Sequence, residues 1–418
     1  MKILIVNYRH YISGGPERYL FNVVELFKSK GHKVITFSVK NERNIPSEYE
    51  DYFLDPLGIG NETSAKDYRG KFWLYFKIIS RYFYSFQSRK KLSALIRDTN
   101  PDIIYIIYYR ALISPSIIDE AKKHKIPVIH RLSDFGKICA NNVLFNYKTS
   151  EVCERCISGT KLNGIKYKCE HNSYLHSTIK VVAGYIEKII RTNEKTDAFI
   201  ITSKFSMQKF IEGGLAKDKL FYVPTFFPIQ KLNSNSITYE PFAVYFGRID
   251  FDKGVHIAIK AFNDIDLKLY IIGDSTDIEY LNRLKKLVKT TNIHFLGALD
   301  FKELSEYLKK CLFVVVPSLW YDNLPNTILE SYAFSKAVVA SNEGSLKYMV
   351  KDNVTGLLFK RNDPISLRLK ISLLLENKQL AQTLGENAFN ELLVEYNEDK
   401  HYKNLINIFE SKISKNNS

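Results

Sequence analysis

The stretch LFVVVPSLWYDNLPNTILES, residues 312–331, decides the reading of the fold. Leu312 to Val316 is apolar without alternation, the mark of a strand buried on both faces. A short loop follows, Pro325 stands near a first helical turn, and Ile328, Leu329, Tyr332 and Ala333 recur at helical spacing. Asp322 falls in the loop at the strand's carboxyl end, where open α/β sheets take ligands. Glu330, eight residues on, falls inside the helix. Asn323, Leu324, Asn326 and Thr327 lie between them, around a helix N-terminus whose free backbone N–H groups can hold an anion. Two acids flanking an anion site suit a sugar attached to a phosphate. The plainer alternative is a surface loop followed by a helix with one solvated glutamate.

The same strand–helix alternation extends in both directions. Strands are expected at Lys2–Val6, Lys33–Phe37, Ile103–Ile107, Val128–His130 and Phe199–Thr202, then at Phe242–Phe246, Lys268–Ile272, Ile293–Phe295, Leu312–Val316 and Ala337–Ala340. Helical segments between strands imply parallel sheets with right-handed crossovers. The chain has 418 residues, too many for one ordinary core. The fold class is therefore α/β, with two Rossmann-like, doubly wound domains facing across a cleft. Residues 1–225 form the first domain, with a cysteine-bearing insertion at about 135–175. Residues 226–395 form the second, and a C-terminal helix and tail, 396–418, pack back on the first. Residues 222–241 carry turn residues and little periodicity, which suits a linker.

Apolar residues make up 45% of the chain, but no run reaches the ~18–20 residues that span a bilayer. The opening MKILIVNYRH has an apolar core of only four residues, which suits a first strand rather than a secretion signal. That points to a cytoplasmic protein. A formal net charge of +15 would serve nucleic acid, an anionic membrane face or a polyphosphate ligand. No homeodomain, RRM or KH-like signature accompanies it, so nucleic acid is not expected as a partner. A dinucleotide oxidoreductase would need G-x-G-x-x-G after the first strand of a domain. The chain offers Ser13-Gly14-Gly15-Pro16-Glu17 and Gly247-Arg248-Ile249-Asp250 at those places, and neither fits.

Gly14 and Gly15 sit between the first strand and helix, where two glycines let backbone approach a ligand. In Gly247-Arg248-Ile-Asp-Phe-Asp-Lys253-Gly254, Arg248 and Lys253 occupy the loop after a strand. Two fixed cations there can neutralise a diphosphate leaving group. Asp250 and Asp252 have the spacing of a D-x-D metal site, but carboxylates that offset the basic pair explain them better.

Together these motifs resemble glycosyltransferase family 4, the group 1 glycosyltransferases. GGPERYLFNVVELFKSKGHKV resembles the family's amino-terminal signature, FGRIDFDKG its G-R-x-x-x-x-K-G, and Asp322 to Glu330 its E-x7-E. Ile271-Ile-Gly273, Val338-Val-Ala340, Gly344 and Thr355-Gly356-Leu357 agree. The resemblance implies a GT-B fold, retention of anomeric configuration, a nucleotide-diphosphate sugar as donor and no cofactor required for catalysis. By the same resemblance Arg248 and Lys253 bind the donor diphosphate, Glu330 the ribose, Asp322 the sugar hydroxyls, and Gly15 lies against the phosphates. The first acid is Asp here, one methylene shorter than the usual Glu. Many members carry a His-Asp pair after the strand holding Pro-Val-Ile. In Pro127-Val-Ile-His130-Arg-Leu-Ser133-Asp134, Asp134 matches the acid, Ser133 takes the usual histidine position, and His130 stands three residues earlier. Asp134 and His130 are the first domain's catalytic candidates.

Cys139, Cys153, Cys156 and Cys169 include one C-x2-C, with the outer two at spacings of 14 and 13. That pattern suits a structural zinc held by four thiolates, and an intracellular setting argues against disulfides. Residues 66–91 hold eight Lys or Arg, one Asp and many aromatics. Read as one helix, they place Phe72, Tyr75, Phe76, Ile79, Phe83 and Phe86 on a face rimmed by Lys71, Lys77, Arg81 and Arg89. Such a helix can lie on an anionic membrane or pack on its own sheet. The expected activity is transfer of a sugar from a nucleotide-sugar to an acceptor hydroxyl, with a glycan or lipid-linked glycan acceptor at the cytoplasmic membrane face. A phosphorylase or nucleotide-sugar epimerase on the same fold, or a non-catalytic sugar-nucleotide-binding protein, are the alternatives.

Overall fold

The computed structural model describes residues 1–57, 72–110, 112–229 and 237–417. The first domain contributes β1 (Lys2–Asn7), β2 (Lys33–Phe37), β3 (Ile103–Tyr108) and β4 (Val128–Leu132). A two-stranded antiparallel hairpin, β5 (Phe145–Asn146) and β6 (Glu151–Val152), interrupts the series before β7 (Ala198–Ile201) and β8 (Leu220–Tyr222). The parallel sheet has the order β2-β1-β3-β4-β7-β8. The second domain supplies β9 (Phe242–Phe246), β10 (Lys268–Ile272), β11 (Ile293–Gly297), β12 (Phe313–Val316), β13 (Ala337–Ser341) and β14 (Gly356–Phe359). These form a second six-stranded parallel sheet, β11-β10-β9-β12-β13-β14.

Helices cover both faces of each sheet, so the central strands are buried throughout and read as unbroken apolar runs. In each sheet the order reverses beside the first strand of its domain, and a crevice opens there at the strands' carboxyl ends. The loops after β1, β3 and β4 thus face those after β9 and β12.

The last helix, Glu398–Asn417, leaves the second domain and joins the first domain's core through Leu405, Ile408 and Phe409, alongside Ile3, Tyr19 and Phe27. His401 locks it in place. The Pro224 carbonyl can only accept, so His401 Nδ1 donates to it at 2.7 Å, and Nε2 accepts from Tyr19 Oη at 3.0 Å. Burial pushes this imidazole down to about 3, which keeps it neutral.

Residues 66–91 do not form one helix. Residues 66–71 lie outside the described residues, and the rest splits into helices Phe72–Phe83 and Phe86–Thr99. Ser85 caps the second, its hydroxyl accepting from the Ser88 N–H at 3.1 Å. Two cations expected on a solvated rim turn inward. Arg81 is fully buried and donates to the Asp55 carbonyl at 2.6 Å, and Arg89 pairs with Glu120 at 2.9 Å.

Candidate functional site

Two loops of the second domain are built against each other. Gly254 has φ 69°, and a Cβ there would lie 2.0 Å from the Pro317 carbonyl oxygen. Only glycine lets the loop after β9 pack this closely on the exit of β12. The Leu319 N–H donates to the Asp252 carbonyl at 2.8 Å and ties the loops together. Lys253 is thereby brought to Asp322, with Nζ 2.8 Å from Oδ1 and 2.9 Å from Oδ2. Ser318 Oγ donates to Asp322 Oδ2 at 2.9 Å, and the ammonium lies 4.9 Å from the centre of the Trp320 ring. Arg248 is more exposed. It pairs with Asp250 and lies 3.9 Å from Asp252. Burial pulls its pKa down, but Asp250, Asp252 and Asp322 outweigh that and raise it. Burial pushes Asp252 above the usual carboxylate range.

Glu330 lies inside the helix Asn326–Ala333 and is buried. Its Oε1 accepts from Arg18 Nη1 of the first domain at 2.8 Å. Burial raises its pKa and Arg18 only partly offsets this. Pro325 precedes the helix and gives no side-chain cap, so among the described residues its first N–H groups have no side-chain acceptor at that position. Thr327 stands in the first turn, and Leu324 packs on the second domain's core. Asn323 Nδ2 crosses to the Leu132 carbonyl at 3.0 Å. Gly14 precedes the helix Gly15–Ser29, and a Cβ on Gly15 would lie 3.1 Å from Asn326 Nδ2. The structure thus gathers Gly15, Asn323, Asn326 and Glu330 at one meeting of the domains, with Arg248, Lys253 and Asp322 on the adjoining loops.

On the first domain's side, Asp134 follows β4. Its Oδ1 accepts the Gly136 N–H at 2.8 Å, and after burial its charge helps push the Tyr108 phenol well above its ordinary range. His130 lies within β4, buried between Tyr109 and Phe199, whose ring centres are 5.1 and 6.1 Å away. Burial, then Lys137 and Arg110, push it well below its ordinary range, so it is neutral. His130 and Asp134 share the wall of a cavity of about 10 Å³.

The structure does not support the zinc centre expected at Cys139, Cys153, Cys156 and Cys169. Among the described residues, no group of three or more His, Cys, Asp or Glu is placed to hold a metal ion. Cys139 is buried at the turn after β4, and its thiol donates to Asn141 Oδ1 at 2.9 Å. The neighbouring Cys156 raises its pKa, and Cys139 in turn pulls Cys156 down to about 6. Cys153 instead accepts from Arg155 at 3.5 Å. Cys156 and Cys153 lie near enough to Cys169 to raise its pKa after burial, to about 11, so the thiols share one neighbourhood.

The structure adds residues to the site that spacing alone did not single out. Arg18 follows the two glycines in the first turn of its helix, a place from which it could have been read. Phe145 of the β5–β6 hairpin is buried within the second domain's core cluster, which includes Ile249 and Leu319. Tyr147, two residues on, donates to Asp252 at 3.4 Å. The insertion that looked like a metal loop is thus a finger reaching across the cleft.

Residues 228–391 match the family model for glycosyl transferases group 1. An uncharacterized glycosyltransferase of Methanocaldococcus jannaschii is 35% identical over 147 residues, 35% of this chain and 42% of that protein. A Campylobacter jejuni N-acetyl-D-galactosaminyltransferase named for a PP-undecaprenol substrate is 27% identical over 193 residues, 43% of this chain and 51% of that one. The chain therefore spans about half or less of the lengths of these two relatives. Among solved structures, Anabaena HepE in complex with UDP and glucose superposes with a TM-score of 0.67 at 15% identity, covering 98% of this chain and 100% of that one. The shared architecture is the GT-B fold.

Proposed function

We propose that this chain, whose residues 228–391 belong to the glycosyl transferases group 1, is a retaining glycosyltransferase. It moves a sugar from a nucleotide-diphosphate sugar to an acceptor hydroxyl in the synthesis of a bacterial surface or lipid-linked glycan. The observation that carries this reading is the pairing of Lys253 with Asp322 beside Arg248, all three next to the start of the Asn326–Ala333 helix. Cations held in place before the substrate arrives need no reorganisation as charge develops, which is where such groups contribute most. Arg248, Lys253 and the N–H groups at Asn326 and Thr327 hold the diphosphate. Glu330 takes the ribose hydroxyls in place of Arg18. Asp322, with both oxygens engaged, acts mainly by positioning Lys253.

The bond between the sugar's anomeric carbon and the diphosphate breaks as the acceptor oxygen adds from the same face, which retains configuration. The acceptor's proton passes to the departing phosphate oxygen, while Asp134 holds the acceptor hydroxyl. His130, neutral and enclosed, shapes that wall. The two domains exclude water while they are closed. Relatives named for a PP-undecaprenol substrate and for a complex with UDP and glucose support an acceptor on a lipid carrier and a nucleotide-sugar donor. Among the described residues, no helix is long and apolar enough to cross a membrane. Work at the cytoplasmic membrane face would be peripheral, with the exposed Ile79 and Phe86 as contacts.

A thermal-shift screen of nucleotide-sugars tests the reading. A ligand at a hundred times its Kd stabilises the folded state by about 2.7 kcal/mol. At least one nucleotide-sugar raises the melting temperature of the wild type and has much less effect on Arg248→Ala. A panel that shifts neither protein, or shifts both equally, counts against the assignment.

A further inference from the structure

Beside Asp134 the first domain encloses a second, larger cavity of about 50 Å³. About 10–15 Å³ of such space takes one water, so this one has room for a phosphate group. Its charges do not balance. Arg110, Lys161 and Lys180 line it, with Glu187 as the lining carboxylate. Glu187 is already saturated: it accepts from Tyr109 Oη at 2.9 Å, Arg110 at 3.1 Å and Lys137 Nζ at 3.0 Å. Burial would raise its pKa, but Arg110 and Lys137 hold it well below the usual carboxylate range. Lys180 has its own partner, Glu170, at 3.6 Å.

Lys161 is the cation left over. Among the described residues its one hydrogen bond is a long one, 3.5 Å to the Gly136 carbonyl. Burial, then repulsion from Arg110, pulls its pKa down to about 8. Glu187, already shared by Arg110 and Lys137, offsets this only in part, and Cys139 adds less. The backbone is shaped to keep it there. A Cβ on Gly184 would lie 3.3 Å from Lys161 Nζ, and one on Gly136 would lie 1.6 Å from Arg110 Nη1. Two glycines thus make room for two cations in one cavity, a costly arrangement unless an anion joins them.

We infer that this cavity binds the phosphate or diphosphate group of the acceptor, with Lys161 and Arg110 as its ligands. The inference rests on the glycosyltransferase reading, because it assigns the acceptor's anion to the wall next to Asp134. The helix Tyr174–Ile189, which supplies Lys180 and Gly184 to the cavity, turns Leu175, Val182 and Ile189 outward at seven-residue spacing, 68%, 37% and 76% exposed. A prenyl chain attached to the bound group could run along that stripe; a soluble phosphorylated sugar would have no use for it.

Calorimetric titration of inorganic pyrophosphate into the full chain tests the site, with the donor side controlled by variants. The wild type binds at two sites. Lys161→Met loses one of them, with at least a tenfold loss of affinity there, and melts at or above the wild-type temperature. A merely structural lysine would instead lower it. Lys161→Arg, which keeps the charge, retains both sites within about threefold. Arg248→Ala/Lys253→Met loses the other site. If that double variant kept both sites while Lys161→Met lost one, the donor assignment would fail and the cavity assignment would stand. Two-site binding by Lys161→Met indistinguishable from wild type overturns the inference. Farnesyl diphosphate separates the sources: at least tenfold tighter binding than pyrophosphate at the Lys161 site assigns a lipid acceptor, and equal binding assigns a soluble one.

Discussion

The two sides of the cleft treat charge in opposite ways. On the second domain every cation named at the site has a carboxylate partner: Lys253 has Asp322, and Arg248 has Asp250. Even Arg18, reaching over from the first domain, is matched by Glu330. On the first domain, Arg110 and Lys137 share Glu187, and Lys161 is left with a carbonyl 3.5 Å away. Paired charges fix side chains in position at little cost to the fold. An unpaired buried cation costs stability and is kept only where something else draws on it. The contrast separates groups positioned for chemistry from groups waiting for a ligand.

The largest effect is expected where a buried pair is broken. Lys253→Met leaves Asp322 buried with Ser318 as its one side-chain hydrogen-bond partner among the described residues, at a cost of about 3–5 kcal/mol in urea unfolding. Adding Asp322→Asn removes the stranded charge and restores most of that stability without restoring transfer. Equal stability of the single and double variants would mean that the pair is not what holds this loop.

The opposite sign is expected at Lys161. Its folded pKa of about 8 lies below the 10.5 of an unperturbed lysine. Between those values the unfolded chain binds more protons, so wild-type stability rises with pH across that window. Lys161→Met removes a penalty of at most about 3 kcal/mol at pH 7, and its advantage shrinks to nothing above about pH 10.5. Unfolding curves at pH 7 and pH 10.5 check this; a variant less stable than wild type at pH 7 would erase the contrast between the two sides.

Glu330→Gln is expected to be mild for the fold and clear for binding. Arg18 is half exposed and tolerates the loss of its partner, so stability changes by less than about 1 kcal/mol. Donor affinity, read by titration, falls about tenfold if ribose hydroxyls bind a carboxylate there. The smallest effect belongs to Tyr147→Phe. Its bond to Asp252 is 3.4 Å long, and its loss costs at most about 1 kcal/mol in thermal unfolding.

The paired side was legible in sequence and the unpaired side was not, for a physical reason. Arg248, Lys253, Asp322 and Glu330 sit on strand exits and a helix start, so local spacing places them. Arg110, Lys137, Lys161 and Glu187 come from four separate segments, and only the packing of the Tyr174–Ile189 helix brings them together. The central strands announced themselves because both their faces are buried. Leu220–Tyr222 and Gly356–Phe359 are edge strands of three and four residues, too short for their apolar runs to mark them as strands, and escaped notice. The break at Ser85 was written in an N-cap serine overlooked among the aromatics. The cysteines show the reverse case: their spacing suits a tetrahedral site, but among the described residues no three such donors are placed to hold a metal ion.

The central claim is that Arg248, already aligned by Asp250, stabilises a departing diphosphate. The most direct test is the rate of nucleoside diphosphate release from the nucleotide-sugar that gives the largest thermal shift, for wild type and Arg248→Ala. Loss of one such preorganised group lowers kcat/KM by about 10²–10³-fold. A variant within twofold of wild type, folded and equally stable, would contradict the account.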